Sequence, residues 1–253
     1  PKQGWVGLNT QIGEPMLPPV NPLENPGPAC LGLIHELDVP LMRDVAMNWG
    51  LIQPTPDGPY DFASSDLIVR TAQDARADLL VVFKGVPGWA SGRGGEVDMK
   101  LPRRQHADAF VEFVTRYVKR YDDDGRSDMP GLRWPVRSYQ FMYEMEDIPP
   151  DEYAFWLRLF YESVKAVEPK AVVVLGGLRS PGIKLDDQPF GDYPAYFQHL
   201  LAQPELDGPA YPYFDVAAFH NFPARYPVRP AFDDAVAYMQ QTMADHQLAL
   251  PIW

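Results

Sequence analysis

The stretch Ser138-Tyr139-Gln140-Phe141-Met142-Tyr143-Glu144-Met145-Glu146-Asp147 is an apolar, aromatic-rich run that ends abruptly in acids. Such a run reads as a buried strand. A carboxyl group where that strand meets solvent is costly as packing and common as chemistry. Desolvation there is expected to raise the pKa of Glu144, the state a general acid needs near neutral pH. The competing role for Glu144 is a structural carboxylate paired with Arg43 or Arg137. Glu146 is a second site candidate. The alternative for it and for Asp147 is a loop position or a cap on the next helix.

Positioning these groups requires a regular frame, and the chain reads as alternating strands and helices. Strands are expected over 5–10, 41–47, 78–85, 136–144, 171–178 and 214–222, with 251–253 opening another. Helices are expected over 28–37, 62–77, 103–121, 150–167, 193–203 and 231–248. The helix over 103–121 carries Phe110, Phe113, Val114, Tyr117 and Val118 at helical spacing, and that over 62–77 carries Asp66 and Asp74 on its polar side. Pro149-Pro150-Asp151-Glu152 is a strong helix-opening signal. Strands alternating with helices imply βα units and a parallel sheet.

Two architectures compete. A doubly wound sheet carries a Gly-rich phosphate loop after its first strand, whereas this chain has Gln11-Ile12-Gly13-Glu14-Pro15. A (β/α)8 TIM barrel places its working residues at the C-terminal strand ends, where Arg43, Lys84, Glu144 and His220 are expected. The barrel is favoured, as one domain over 1–253 covering about the first seven strands. Its Pro- and Gly-rich loops at 11–27, 86–102, 179–191 and 221–229 fall on the face that builds a site. Because 251–253 looks like a strand's beginning, further chain is expected to follow it; a complementing C-terminal segment is the alternative. Pro1 in place of Met leaves room for a removed leader.

Bulk properties narrow the function. The net charge of −12 argues against nucleic-acid or anionic-membrane partners, which require basic surface. No window reaches the roughly 18 apolar residues of a membrane span. The single Cys30 cannot form an internal disulfide and reads as a small core residue. His35, His106, His199, His220 and His246 are dispersed without ligand spacing, so no zinc site is expected. Asp122-Asp123-Asp124-Gly125 lacks the alternation of a calcium loop and reads as a solvated turn. No dinucleotide, phosphate-loop or Gly-x-Ser-x-Gly motif is present, so neither metal nor cofactor is expected.

A collinear series of short motifs then sets the chemistry. It runs through Gly7-Leu8-Asn9, Met42-Arg43-Asp44, Trp49-Gly50-Leu51-Ile52-Gln53-Pro54 and Gly58-Pro59-Tyr60-Asp61-Phe62 with Asp66. It continues through Pro87-Gly88-Trp89-Ala90, Arg116-Tyr117, Val164-Lys165-Ala166-Val167-Glu168-Pro169 and Gly176-Gly177. Asp215 to His220 and Leu250-Pro251-Ile252-Trp253 complete it. In this order the chain resembles the retaining glycoside hydrolases of the large (β/α)8-barrel clan, in particular the β-xylosidase and α-L-iduronidase type family. The resemblance implies a carbohydrate substrate, an exported enzyme (secreted or periplasmic rather than cytoplasmic), and Glu144 as acid/base. The family has Asn before that Glu and this chain has Tyr143, whose phenol can also donate a hydrogen bond. The family's nucleophile Glu follows strand seven, beyond the motif matched by Pro251-Ile252-Trp253.

Other strand-end and loop residues could be supporting parts, each beside a plainer alternative. Arg43 would hold a catalytic carboxylate ionised, or pair with Asp44 or Asp61. Trp89 would stack on a sugar ring, or pack its loop; Trp49 reads first as core. Lys84 would recognise an acidic sugar or simply form an ion pair; His220 would meet a sugar hydroxyl or carboxylate, or be a satisfied structural residue; Tyr143 and Glu146 would meet the substrate beside Glu144. Retaining hydrolysis needs two carboxylates about 5–5.5 Å apart, and Glu144 supplies one. The rival readings are a carbohydrate-binding barrel without catalysis and one half of a two-chain barrel.

Overall fold

Continuous apolar runs such as Leu79–Phe83 leave no polar face for solvent, and the chain buries them as parallel strands covered by amphipathic helices. The computed structural model describes residues 7–9, 36, 40–92, 97–98, 101–179, 193–220 and 230–253. The helix expected over 28–37 (Glu36 apart), Cys30, His35 and the loops at 11–27, 180–191 and 221–229 lie outside the described residues. The rest forms two compact units, 1–139 with 164–171, and 140–163 with 172–253.

In the first unit β1 (Gly7–Asn9), β2 (Leu41–Met47) and β3 (Asp78–Phe83) run parallel in that order. Leu41 is in register with both Gly7 and Asp78, and a register shift separates Asp44 from Met47. The helix Ala107–Arg120 buries Phe110, Phe113, Val114, Tyr117 and Val118, the face its spacing predicts. Trp49 stacks on Phe113 at 5.4 Å and is fully buried, as expected of a core residue. Within the expected loop 86–102, β4 (Val86–Pro87) pairs antiparallel with β5 (Val97–Asp98).

Asp66 corrects the sequence expectation. It lies in the helix Ala63–Asp74 but is buried, whereas Asp74 is exposed beside Arg133. Asp66 accepts hydrogen bonds from Arg120 Nε (2.8 Å), Arg120 Nη2 (2.6 Å) and Tyr121 OH (2.8 Å). Helical spacing identifies a polar residue but not a cation some 54 positions away that can satisfy it inside.

In the second unit the end of β6 (Ser138–Phe141) lies beside β7 (Val172–Val174). The strand expected over 171–178 is interrupted after Val174 and resumes as β8 (Leu178–Arg179), parallel to β9 (Phe219–His220). The interruption contains Gly176 and Gly177. A Cβ on Gly176 would fall 2.8 Å from Phe141 O and 2.9 Å from Tyr153 OH. That space serves a hydrogen-bond bridge: Tyr153 OH donates to Phe141 O (2.8 Å) and accepts from Gly176 N (3.1 Å). The segment 251–253 adds in parallel beside 217–219, with Ala217 N donating to Pro251 O and Trp253 N to Ala217 O. The helix Pro150–Val167 starts where its Pro-Asp-Glu signal places it.

Candidate active site

The site begins where β6 ends. Met142 and Glu144 adopt left-handed backbone at φ 59° and 52°. Such conformations cost a side-chain-bearing residue about 1 kcal/mol or more each and collect at functional turns. Glu144 N donates to Gly177 O at 2.8 Å, which pins the turn to the Gly-Gly break. The carboxylate is thereby delivered to the C-terminal ends of β8 and β9.

There it meets two donors in register. Arg179 and His220 are partners across parallel β8 and β9. Arg179 Nε donates to Glu144 Oε2 at 3.0 Å, and His220 Nδ1 lies 3.0 Å from Glu144 Oε1. Strands spaced about 4.8 Å apart thus present one donor to each oxygen of a single carboxylate. Arg179 Nη2 also reaches the Glu144 carbonyl (3.4 Å) and Asp147 Oδ2 (3.2 Å). A Cβ on Gly177 would fall 2.5 Å from His220 Nε2, so the imidazole occupies room that only glycine leaves.

The electrostatic outcome corrects the sequence expectation for Glu144. Its pKa is not raised but lowered to about 2, first by the His220 hydrogen bond and then by Arg179, which together outweigh burial. An ionised carboxylate only accepts, so His220 Nδ1 carries the proton in this pairing. The foreseen structural partners are also replaced. Arg179 takes the place of Arg43 or Arg137, and Arg137 faces Glu168 at 3.7 Å.

Glu146 is the group that burial does push up. It lies in the short turn of helix Met145–Asp147, is only 2% exposed, and has a pKa raised to about 7. Desolvation is the main cause and the Glu144 charge adds to it; main-chain N–H groups and Arg179 oppose it. Its Oε1 accepts the Arg179 main-chain N–H, and Oε2 is buried without a hydrogen-bond partner among the described residues. Tyr143 is half-buried, its ring 5.9 Å from that of His220.

The remaining candidates belong to the first unit. Arg43 is the third of seven residues in β2, not at its C-terminal end, because pairing with β3 continues to Met47. Its Nη1 donates to Asn9 Oδ1 at 2.7 Å. Lys84 follows β3 directly, with its N–H on Met47 O at 3.1 Å. Trp89 sits in the helix Gly88–Ser91, gives its indole N–H to Gln53 O (3.2 Å), and meets Trp49 and His106 edge-on at 5.2 and 5.4 Å. Asp122 and Asp124, expected in a solvated turn, bring ligand-capable oxygens within 4.8 Å of one another and of one on Asp128. Mainly through burial, Asp122 is pushed up to about 6.

Thus Glu144, Tyr143, Glu146 and His220 come together in the second unit. Arg179, which completes the clamp, has no place among the sequence candidates. Its signal is the one that singles out Lys84 and His220, a polar residue closing an apolar strand, but the Gly-Gly break conceals it in Ala171-Val172-Val173-Val174-Leu175-Gly176-Gly177-Leu178-Arg179.

No protein-family model and no curated protein sequence matches the chain. Solved structures do. A family 39 glycoside hydrolase from the gut symbiont Bacteroides cellulosilyticus WH2 aligns over 85% of the chain at TM-score 0.57 and 17% identity. A glucosidase from Croceicoccus marinus aligns over 93% at TM-score 0.58 and 18% identity. A psychrophilic family 10 endo-β-1,4-xylanase aligns over 86% at TM-score 0.57 and 13% identity. The chain has the (β/α) barrel fold of these proteins. It spans 37%, 52% and 68% of their respective lengths.

Proposed function

We propose that the chain is the Glu144-bearing part of a glycoside hydrolase that acts with retention. The observation that carries the proposal is the Glu144 carboxylate at a strand's C-terminal end, with each oxygen held by a donor from an adjacent strand end. Support comes from the fold, shared with proteins whose names are glycoside hydrolase, glucosidase and xylanase.

In the double displacement Glu144 first protonates the glycosidic oxygen and then accepts a proton from water. The ionised state near neutral pH suits the second step. For the first, Glu144 must carry a proton, and His220 Nδ1 lies 3.0 Å from Oε1, close enough to exchange one with it. The family's nucleophile falls beyond the motif matched by Pro251-Ile252-Trp253, and no residue of this sequence is assigned that role. Tyr143, half-buried beside His220, would contact the sugar.

A second reading, carbohydrate binding without catalysis, is favoured by one observation: the Glu144 pKa of about 2 is opposite to that of a resting general acid. Calorimetry with oligosaccharides, run beside proton NMR of the products, separates the two. Hydrolysis with the anomeric configuration first retained supports the enzyme. Saturable binding with no product supports the binding module and overturns the enzyme.

A further inference from the structure

We propose that Glu146 is a positioning residue: by accepting the Arg179 main-chain N–H it fixes the strand end from which Arg179 grips Glu144. Two hydrogen bonds link the turn Met145–Asp147 back to β8, and both converge on one arginine. Glu146 Oε1 holds the Arg179 backbone, Asp147 Oδ2 meets Nη2, and Glu144 Oε2 meets Nε. Of the three acids, Asp147 is exposed, with a side chain 56% accessible, so its pull on the guanidinium is screened. Glu146 is buried, and its bond to Arg179 is protected from water.

The placement is costly. A buried carboxyl with one unpartnered oxygen destabilises a fold unless its other contact matters. The groups around it are Arg179 and Glu144, with the phenols of Tyr153 and Tyr196 also within electrostatic reach. None of these but Arg179 forms a described hydrogen bond with the Glu146 side chain. The consequence for hydrolysis rests on the function proposed above; the consequence for Glu144 does not.

The test is the titration of Glu144, followed by carboxyl carbon NMR of the protein labelled in glutamate, in wild type, Glu146→Gln and Glu146→Leu. Glu146 is protonated throughout the range in which Glu144 titrates, so both substitutions exchange neutral for neutral there. Any shift in Glu144 then reports geometry. Glu146→Gln retains an acceptor oxygen and is expected to leave the Glu144 midpoint near 2. Glu146→Leu removes the acceptor and is expected to raise that midpoint by about one pH unit, a tenfold gain in proton affinity, as the Arg179 contact loosens. Glu146→Asp, which withdraws the oxygen by one methylene, is expected to fall between them and replaces Glu146→Leu should that variant not fold. An unchanged Glu144 midpoint in a folded Leu or Asp variant overturns the proposal. A shifted midpoint in a protein that hydrolyses no glycoside upholds it and instead overturns the proposed function.

Discussion

Arg179 and His220 are register partners on neighbouring parallel strands, and each holds one oxygen of Glu144. The carboxylate is therefore an electrostatic keystone of the second unit, and its ionisation reports on both donors.

Of the two donors, His220 contributes more to the low pKa of Glu144. Replacing His220 by Phe is expected to raise the Glu144 midpoint further than replacing Arg179 by Met. Carboxyl carbon NMR of each variant checks the order. The reverse order would mean that Arg179, not His220, is the main hold on the carboxylate.

Glycine at 177 is required by the imidazole. The Cβ of Gly177→Ala would meet His220 Nε2 at 2.5 Å, so the ring must swing away from Glu144. A cost of about 1–3 kcal/mol in unfolding free energy is expected, as for other overpacked sites. The Glu144 midpoint should rise with it. An alanine variant with wild-type stability and titration would show that the ring accommodates the methyl group.

How much of this was legible in sequence depended on the range of the signal. The helix Pro150–Val167 and the buried face of Ala107–Arg120 follow from local spacing and end signals, which act within a few residues. The strand end carrying Glu144 is likewise local. Its charge state is not, because Arg179 and His220 lie 35 and 76 positions away. Burial alone points to a raised pKa, and burial does raise that of Glu146, the neighbour that meets fewer charged donors. Asp66 shows the same limit, a polar helix position turned inward by Arg120 and Tyr121.

Glu146 makes stability depend on pH in a defined direction. Its folded pKa, about 7, exceeds the ordinary value of 4.5. Its contribution is thus fully present below pH 4.5 and is lost as pH rises through 7. The loss amounts to about 3 kcal/mol at most. Urea unfolding of wild type and Glu146→Gln from pH 4 to 8 should show the variant gaining relative stability with pH. A constant difference would contradict the shift.

Glu144 acts in the opposite sense. Its folded pKa is lowered to about 2, so its contribution is present above 4.5 and disappears as pH falls towards 2. Relative to Glu144→Gln, wild type should lose stability over that acidic interval, as measured by the urea midpoint at successive pH values. An equal midpoint difference at pH 2 and pH 6 would contradict it.

In the first unit Asp66→Ala leaves Arg120 partly buried with its bidentate partner gone. A loss of about 3 kcal/mol is expected. Thermal unfolding would reveal it, and a change below about 0.5 kcal/mol would mark the pair as surface-like.

The most direct measurement is kcat/KM of wild type and Glu144→Gln across aryl glycosides whose leaving groups range from good to poor. If Glu144 delivers the proton, the variant should nearly match wild type in the first step with good leaving groups, which need no proton. It should fall by about 10²–10⁴-fold with poor ones. An equal loss on every substrate would contradict the role of Glu144 as the acid/base.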